Sequence, residues 1–277
     1  MKRLLLFSII CLALAQTSKA QTETIYNFNL GAFAGVSSYH GDLVESNLDQ
    51  IAETHPAFGL YLRFNYGDYF SARSTITYGS MSGTDANAND VSRRKRNLSF
   101  RSPIVEFSIV PEGNIYNFVL PRSGYVITPF VYAGIGGFWF NPQAFYEGEW
   151  VNLQPLATEG QELPGNSELK KYNRFAIAIP YGLGVKFKMS EYTTISWEFG
   201  YRYTFTDYLD DLGGYYADKD VLQVQGATAV ALSDRSMEYG AAENAAGSIR
   251  ASTKSNDFYI FTGFSLSINL SPKKTKP

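Results

Sequence analysis

The sequence predicts an all-β chain, an eight-stranded antiparallel transmembrane β-barrel with long extracellular loops and short periplasmic turns. Three observations carry that expectation. The first is the stretch Phe258 to Leu270, FYIFTGFSLSINL. From Ile260 onward, Ile260, Thr262, Phe264, Leu266, Ile268 and Leu270 fall on one face. Tyr259, Phe261, Gly263, Ser265, Ser267 and Asn269 fall on the other, which becomes small and polar toward its end. Period two over this length describes an extended strand. A strand that crosses a bilayer needs about 9–11 tilted residues, apolar toward lipid and polar toward the lumen. The second observation is that seven further stretches alternate in a comparable way. The third is that the connections run long, short, long, moderate, long, short, long, the asymmetry of barrels with periplasmic turns and outer loops.

The first segment, Met1 to Ala20, reads as a secretory signal. Lys2 and Arg3 precede the apolar run Leu4 to Ala15, and Ser18-Lys19-Ala20 offers a small-x-small cleavage site before Gln21. The run is too short to span a bilayer as a helix. The barrel domain then occupies residues 21–277. The one cysteine, Cys11, lies inside the signal, so the mature chain has no thiol chemistry.

Strand one is expected over Tyr26 to Ser38, with Tyr26, Phe28, Leu30, Ala32, Ala34 and Val36 on one face. A polar loop leads to strand two, Ala57 to Tyr66. The turn Tyr66-Gly67-Asp68-Tyr69 leads to strand three, Phe70 to Met81. A polar loop ending in Arg93-Arg94-Lys95-Arg96 precedes strand four, Leu98 to Val110. Its parity changes between Phe100 and Val105, which predicts a bulge near Pro103, since proline cannot donate to the ladder. Glu112 to Gly124 connects to strand five, Tyr125 to Phe140, whose glycines would leave room in a narrow barrel. The long loop Asn141 to Tyr172 lacks periodicity. Strand six, Arg174 to Met189, and strand seven, Thr193 to Phe205, alternate cleanly. The last loop, Thr206 to Asn256, is the longest, and part of it is expected to be mobile.

The 20 Tyr and 20 Phe suit strands and the aromatic girdles of a membrane barrel. A net charge of −2 gives no concentrated basic face for nucleic acid. Strand charges fall on the non-apolar parity: Arg63, Arg73, Glu106, Lys186, Lys188, Glu198 and Arg202. Inside so narrow a barrel they should pair, because unpaired burial is costly. A proton or ion path is the functional reading of these charges, and a structural polar plug the plain one. His40 and His55 are the only histidines. Neither a metal set with Asp42 and Glu45 nor a hydrolase set of His40, Ser37 or Ser38 and Asp42 has a specific spacing. No cofactor and no small-molecule substrate is evident, and the chain reads as a non-enzyme. Asp207, Asp210 and Asp211 read as a solvated acidic loop without calcium-loop spacing. The Arg93 to Arg96 run reads as solvated surface, with lipopolysaccharide contact as the alternative.

The segments SYHGDL (Ser38 to Leu43), RNLSFRSPIVE (Arg96 to Glu106), FVYAGIGGFWFNPQA (Phe130 to Ala144), PLATEGQ (Pro155 to Gln161) and RYTFTDYLDD (Arg202 to Asp211) resemble the DUF6089, PorG-like family of the Bacteroidota. The resemblance implies an outer-membrane barrel of the type IX secretion system, associated with the periplasmic ring built from a lipoprotein and its partner (PorK and PorN). It supplies no catalytic residues. It implies outer-membrane lipid and ring proteins as partners. The turns that would face the ring carry Asp68, Asn114, Tyr116, Asn117, Phe118 and Glu191. The alternative is a small adhesin or binding barrel acting through its outer loops.

Overall fold

The computed structural model describes residues 26–44, 51–67, 69–116, 126–251 and 256–270. The expected signal, the Asp68 position and the Asn117 and Phe118 positions lie outside these described residues. Long alternating stretches become β1 (Tyr26–His40), β2 (His55–Tyr66), β3 (Phe70–Thr84) and β4 (Ser99–Asn114). Next come β5 (Ile127–Ala133), β6 (Ile135–Phe140), and a short hairpin of β7 (Gln143–Tyr146) and β8 (Glu149–Asn152). The last three are β9 (Phe175–Lys188), β10 (Thr193–Thr204) and β11 (Phe258–Asn269).

Every barrel strand is antiparallel to its neighbours, and the sheet closes where β11 pairs with β1. β5 and β6 are two halves of one line. Both pair with β4 and with β9 in unbroken register, from Ile127↔Phe187 through Gly136↔Ala178. The break falls at Gly134, where a Cβ would run into the Ile109 carbonyl. Counted this way, the ring has eight strands, as the alternation predicts.

The bulge expected near Pro103 is absent. β3 and β4 pair without interruption from Phe70↔Gly113 to Thr84↔Ser99. The parity change has another cause: Phe100 and Ile104 point inward and are buried beneath folded loops. β4 also runs four residues beyond the expected end at Val110, to Asn114.

Outward side chains form an apolar belt. Leu60, Leu62, Ile76, Phe107, Val131, Ile135, Leu183, Phe264 and Leu266 are all exposed. Aromatic residues rim the belt. Tyr26, Tyr66, Phe70 and Tyr192 stand at the short-turn end, and Trp139, Phe175, Tyr203 and Phe205 at the long-loop end. Burying this much apolar surface in water-free surroundings is what a closed barrel achieves in a bilayer, because every backbone group is already paired.

The long loops fold into a cap. Leu43, Leu98, Leu153, Leu209, Leu212 and Leu232 pack with Phe100, Phe138 and Phe140 in one apolar cluster. Residues 206–251 of the last loop carry helical turns at Lys219–Leu222 and Ala227–Ser233. Leu209 and Leu222 are fully buried within it.

Candidate functional site: a charged lumen beneath a folded cap

Period two fixes which side chains enter the lumen. On β4, Glu106, Ser108, Val110, Glu112 and Asn114 share the inward parity. Glu112 is the hub. Its carboxylate meets Arg63 at 2.9 Å, Arg73 at 2.8 Å and Lys186 at 2.7 Å. Arg73 reaches on to Glu198 at 2.7 Å, and Lys186 donates to Asn114 Oδ1 at 2.8 Å. A second group lies nearer the cap. Arg202 pairs with Glu106 at 3.2 Å, and the Tyr259 hydroxyl donates to the same carboxylate at 2.7 Å. All seven charged residues are at most 5 % exposed.

Rings fill the remaining width. The Arg63 and Arg73 guanidiniums lie 4.9 and 5.4 Å from the Tyr61 ring centre, Lys186 lies 4.5 Å from Phe130, and Arg202 lies 4.7 Å from Phe261. Space for these rings comes from Gly184 and Gly200, where a Cβ would collide with Phe130 and Tyr132 respectively. Below the hub, Asn65 donates to Asn27 and to Asn29 at 2.7 Å. Such an arrangement holds charge in place: four cations surround three carboxylates through fixed geometry, and aromatic faces occupy the gaps.

The structure thus gathers Arg63, Arg73, Glu106, Lys186, Glu198 and Arg202, though Glu198 pairs with Arg73 and not with its own-strand neighbour Arg202. Sequence reasoning missed Glu112, having ended the strand at Val110. One more step of the same alternation from Val110, across Pro111, reaches it. Asn114 requires a correction. It was expected on a partner-facing turn, but it is buried in the lumen as a Lys186 acceptor. Tyr116 and Glu191 are exposed at the short-turn end.

The cap corrects two further expectations. Asp210 and Asp211 are buried rather than solvated. The Tyr39 hydroxyl lies 2.6 Å from Asp210 Oδ2 and 3.0 Å from Asp257 Oδ1. One hydroxyl proton cannot be donated in full to both carboxyls. Burial is the main force raising the Asp210 and Asp257 pKa values, and neighbouring carboxylates add to it. Burial also lifts Asp207 to about 7, helped by Asp42 and Glu159. It lifts Asp211 to about 6 against the opposing pull of Arg250.

The basic run is also not simply solvated. It forms a short helix, Val91–Arg96, whose Arg96 pairs with buried Asp85 at 2.7 Å and donates to the Arg250 carbonyl at 2.6 Å. Arg93 donates to the Asp42 carbonyl. These two arginines tie loops of the cap together, while Lys95 stays exposed.

The histidines do not form a relay. His40 stacks on Phe258 with ring centres 4.3 Å apart. His55 Nε2 lies 2.7 Å from Ser82 Oγ, but the Ser82 hydroxyl donates to Glu53, so the carboxylate serves the serine rather than orienting the imidazole. Ser37 donates to the Ser80 carbonyl at 2.5 Å and does not meet His40. Among the described residues, no group of three or more His, Cys, Asp or Glu is arranged to hold a metal ion.

A closed antiparallel ring with an apolar outer belt and a filled polar lumen defines an outer-membrane-type β-barrel. The chain belongs to the family described as "Domain of unknown function (DUF6089)", whose model matches residues 2–274. No curated protein matches the sequence significantly. Solved structures similar to the chain include Ail, the attachment invasion locus protein of Yersinia pestis, at 9 % identity and TM-score 0.41, covering 88 % of this chain and 99 % of that one. Neisserial surface protein A is similar at 7 % identity and TM-score 0.43, covering 87 % and 96 %. The N-terminal β-barrel domain of Pseudomonas aeruginosa OprF is similar at 9 % identity and TM-score 0.40, covering 90 % and 100 %. The barrel assignment rests on the strand pairing of this chain itself.

Proposed function

We propose that this protein is a non-enzymatic, integral outer-membrane component of type IX protein secretion that anchors the periplasmic ring to the membrane. The observation that carries the reading is membership of the DUF6089 family across nearly the whole chain. The resemblance described above links that family to a ring of PorK- and PorN-like proteins. The barrel geometry is compatible with an anchoring role. Its lumen is packed with paired charges and rings, which suits a rigid post better than a conduit. In this reading the short-turn end faces the periplasm, after export and removal of the Met1–Ala20 segment, and the cap faces outward.

Ring contact then falls to the surface that carries Gly67, Tyr69, Tyr116 and Glu191. Exposed aromatics on short turns make suitable contact patches. Deletion of the gene followed by a cargo-export assay tests the proposal. Loss of export of type IX cargo, restored by the wild-type chain, is expected. Unchanged export would sink the secretion role and leave the loop-acting binding barrel.

A further inference from the structure

The outer wall of the barrel carries a polar strip above the apolar belt that the anchoring role does not use. β6 runs on into β7 without a change of register against β4: Trp139 lies opposite Val105, and Gln143 opposite Arg101. Four residues at about 3.3 Å each carry the wall about 13 Å along the strand beyond Trp139. Trp139 and Phe175 belong to the aromatic rim, so this extension rises from the membrane interface into the headgroup layer. There β8 pairs with β7, setting Asn152 opposite Gln143 and Trp150 opposite Phe145. Phe145 and Trp150 are both exposed.

Two arginines bracket the strip, and neutral amides join them. Arg174, just before β9, donates from Nη1 to Asn141 Oδ1 at 3.0 Å. Asn141 Nδ2 donates to Asn152 Oδ1 at 2.7 Å, and Gln143 Nε2 donates to the same oxygen at 2.8 Å. Arg101 closes the line by donating from Nε to Gln143 Oε1 at 3.1 Å. Each guanidinium also lies over a tryptophan. Arg101 is 3.7 Å from the Trp150 ring centre and Arg174 is 5.6 Å from that of Trp139. Two of the chain's three tryptophans are thus engaged in one patch.

Charge selects the ligand. Arg93 and Arg96 in the cap are neutralised by Asp85, but among the described residues neither Arg101 nor Arg174 meets a carboxylate. The acids of the hairpin stand apart: Glu147 is in the turn, and Glu149 has the opposite parity from Trp150. Both arginines are partly open to the surface, and none of their nitrogens is a buried atom lacking a partner. A guanidinium fork with donors to spare matches a phosphate. Between the two charges, the exposed Asn152 and the neighbouring Gln143 offer amides to hydroxyl groups. Directly below the patch, Val105 and Ile177 are exposed on the belt and offer a bed for acyl chains. Charged ends, a neutral polar middle and an apolar bed describe a phosphorylated sugar carried on lipid.

We propose that this strip binds the phosphorylated sugar headgroup of a membrane glycolipid, with Arg101 and Arg174 as the phosphate donors. The site needs the barrel to stand in a membrane but does not need the secretion role, so lipid binding and cargo export can fail separately.

The test is native mass spectrometry of the purified full-length barrel in detergent micelles doped with a lipid. Three lipids are compared: diphosphoryl lipid A, its dephosphorylated form, and phosphatidylglycerol, which has a phosphate but no sugar. Saturable adducts with diphosphoryl lipid A are expected, at least tenfold tighter than with either of the others. The double variant Arg101→Gln, Arg174→Gln should weaken them at least tenfold, and Lys95→Gln, on the exposed side of the cap helix, should leave them unchanged. Equal binding of the dephosphorylated lipid or of phosphatidylglycerol, undiminished binding by the double variant, or an equal loss in Lys95→Gln would overturn the proposal. If the double variant does not fold, Asn152→Asp decides. It keeps the Oδ1 that accepts from Asn141 and Gln143 and adds one negative charge at the centre of the strip. A tenfold loss of lipid A binding in Asn152→Asp supports the site, and full binding refutes it.

Discussion

The two ends of the lumen are built from opposite materials. Toward the short turns, inward positions carry Arg63, Arg73, Glu112, Lys186 and an Asn65 network. Toward the long loops they carry Phe100, Ile104, Phe138, Phe140, Met81 and Phe261, which are continuous with the apolar interior of the cap. The same strands contribute to both. The difference shows that "inward" has no fixed chemistry in a narrow barrel: what lies at the end of the tube decides it. A lumen that ends at thin turns must satisfy itself with paired charges. A lumen roofed by folded loops can be closed like the core of a soluble domain.

The comparison breaks most visibly at its charged end. Replacing Glu112 by Leu leaves Arg63 and Lys186 without a carboxylate and Arg73 with Glu198 alone. Removing one partner from a buried ion pair typically costs about 3–5 kcal/mol, and a hub should lie at the upper end. Denaturant unfolding in detergent measures it. A loss no larger than that of an exposed substitution would mean that the charges are hydrated and do not depend on the hub.

At the other end the expected cost comes from a cavity instead. Leu209→Ala should destabilise the cap by about 2–5 kcal/mol, since the side chain is fully buried. The barrel strands should keep their protection in hydrogen exchange while the cap loses its own. Simultaneous loss of both would merge the two regions into one cooperative unit.

On the outer belt, Leu183→Arg should cost about 2–4 kcal/mol in lipid if the residue sits near the midplane. Its 53 % exposure in the isolated chain means that little of this cost should appear in a soluble reference.

Acidity separates the regions more finely. Asp207 and Asp211, raised to about 7 and about 6, keep protons in the folded cap that an unfolded carboxylate with a pKa of about 4 has lost. The folded state therefore binds more protons through this window, and the cap gains stability as pH falls from about 7 toward about 4. Protease protection of the cap should rise between pH 8 and pH 5. A fall would contradict the assignment. The smallest effect belongs to the cap surface. Arg235 pairs with Glu238 at 2.8 Å, and Arg235→Ala should change stability by no more than about 1 kcal/mol.

The strands were legible because lipid imposes a strict rule on one face. Leu183, Phe264 and Leu266 could only point outward once period two was recognised. The eight-strand count and the loop asymmetry followed from the same rule. The rule weakens where the roof begins. Leu98 and Phe100 are apolar because the cap covers them, and reading apolar as outward invented a bulge at Pro103. Glu112 was missed for a local reason: the strand was expected to end at Val110, whereas Pro111 faces outward and the alternation continues to Asn114. The cap itself was illegible. Asp210, Asp211 and Arg96 become buried partners through contacts across long sequence separations, such as Arg96 with the Arg250 carbonyl, and no local pattern announces those.

The proposed anchoring role requires ring proteins to meet the short-turn end while the cap faces away from them. Photo-crosslinkers placed in intact cells at Glu191, on the short turn before β10, and at Val224, which is 69 % exposed on the cap, test it most directly. The account predicts adducts between position 191 and the ring subunits, with none from position 224. Ring adducts from position 224 alone would contradict it.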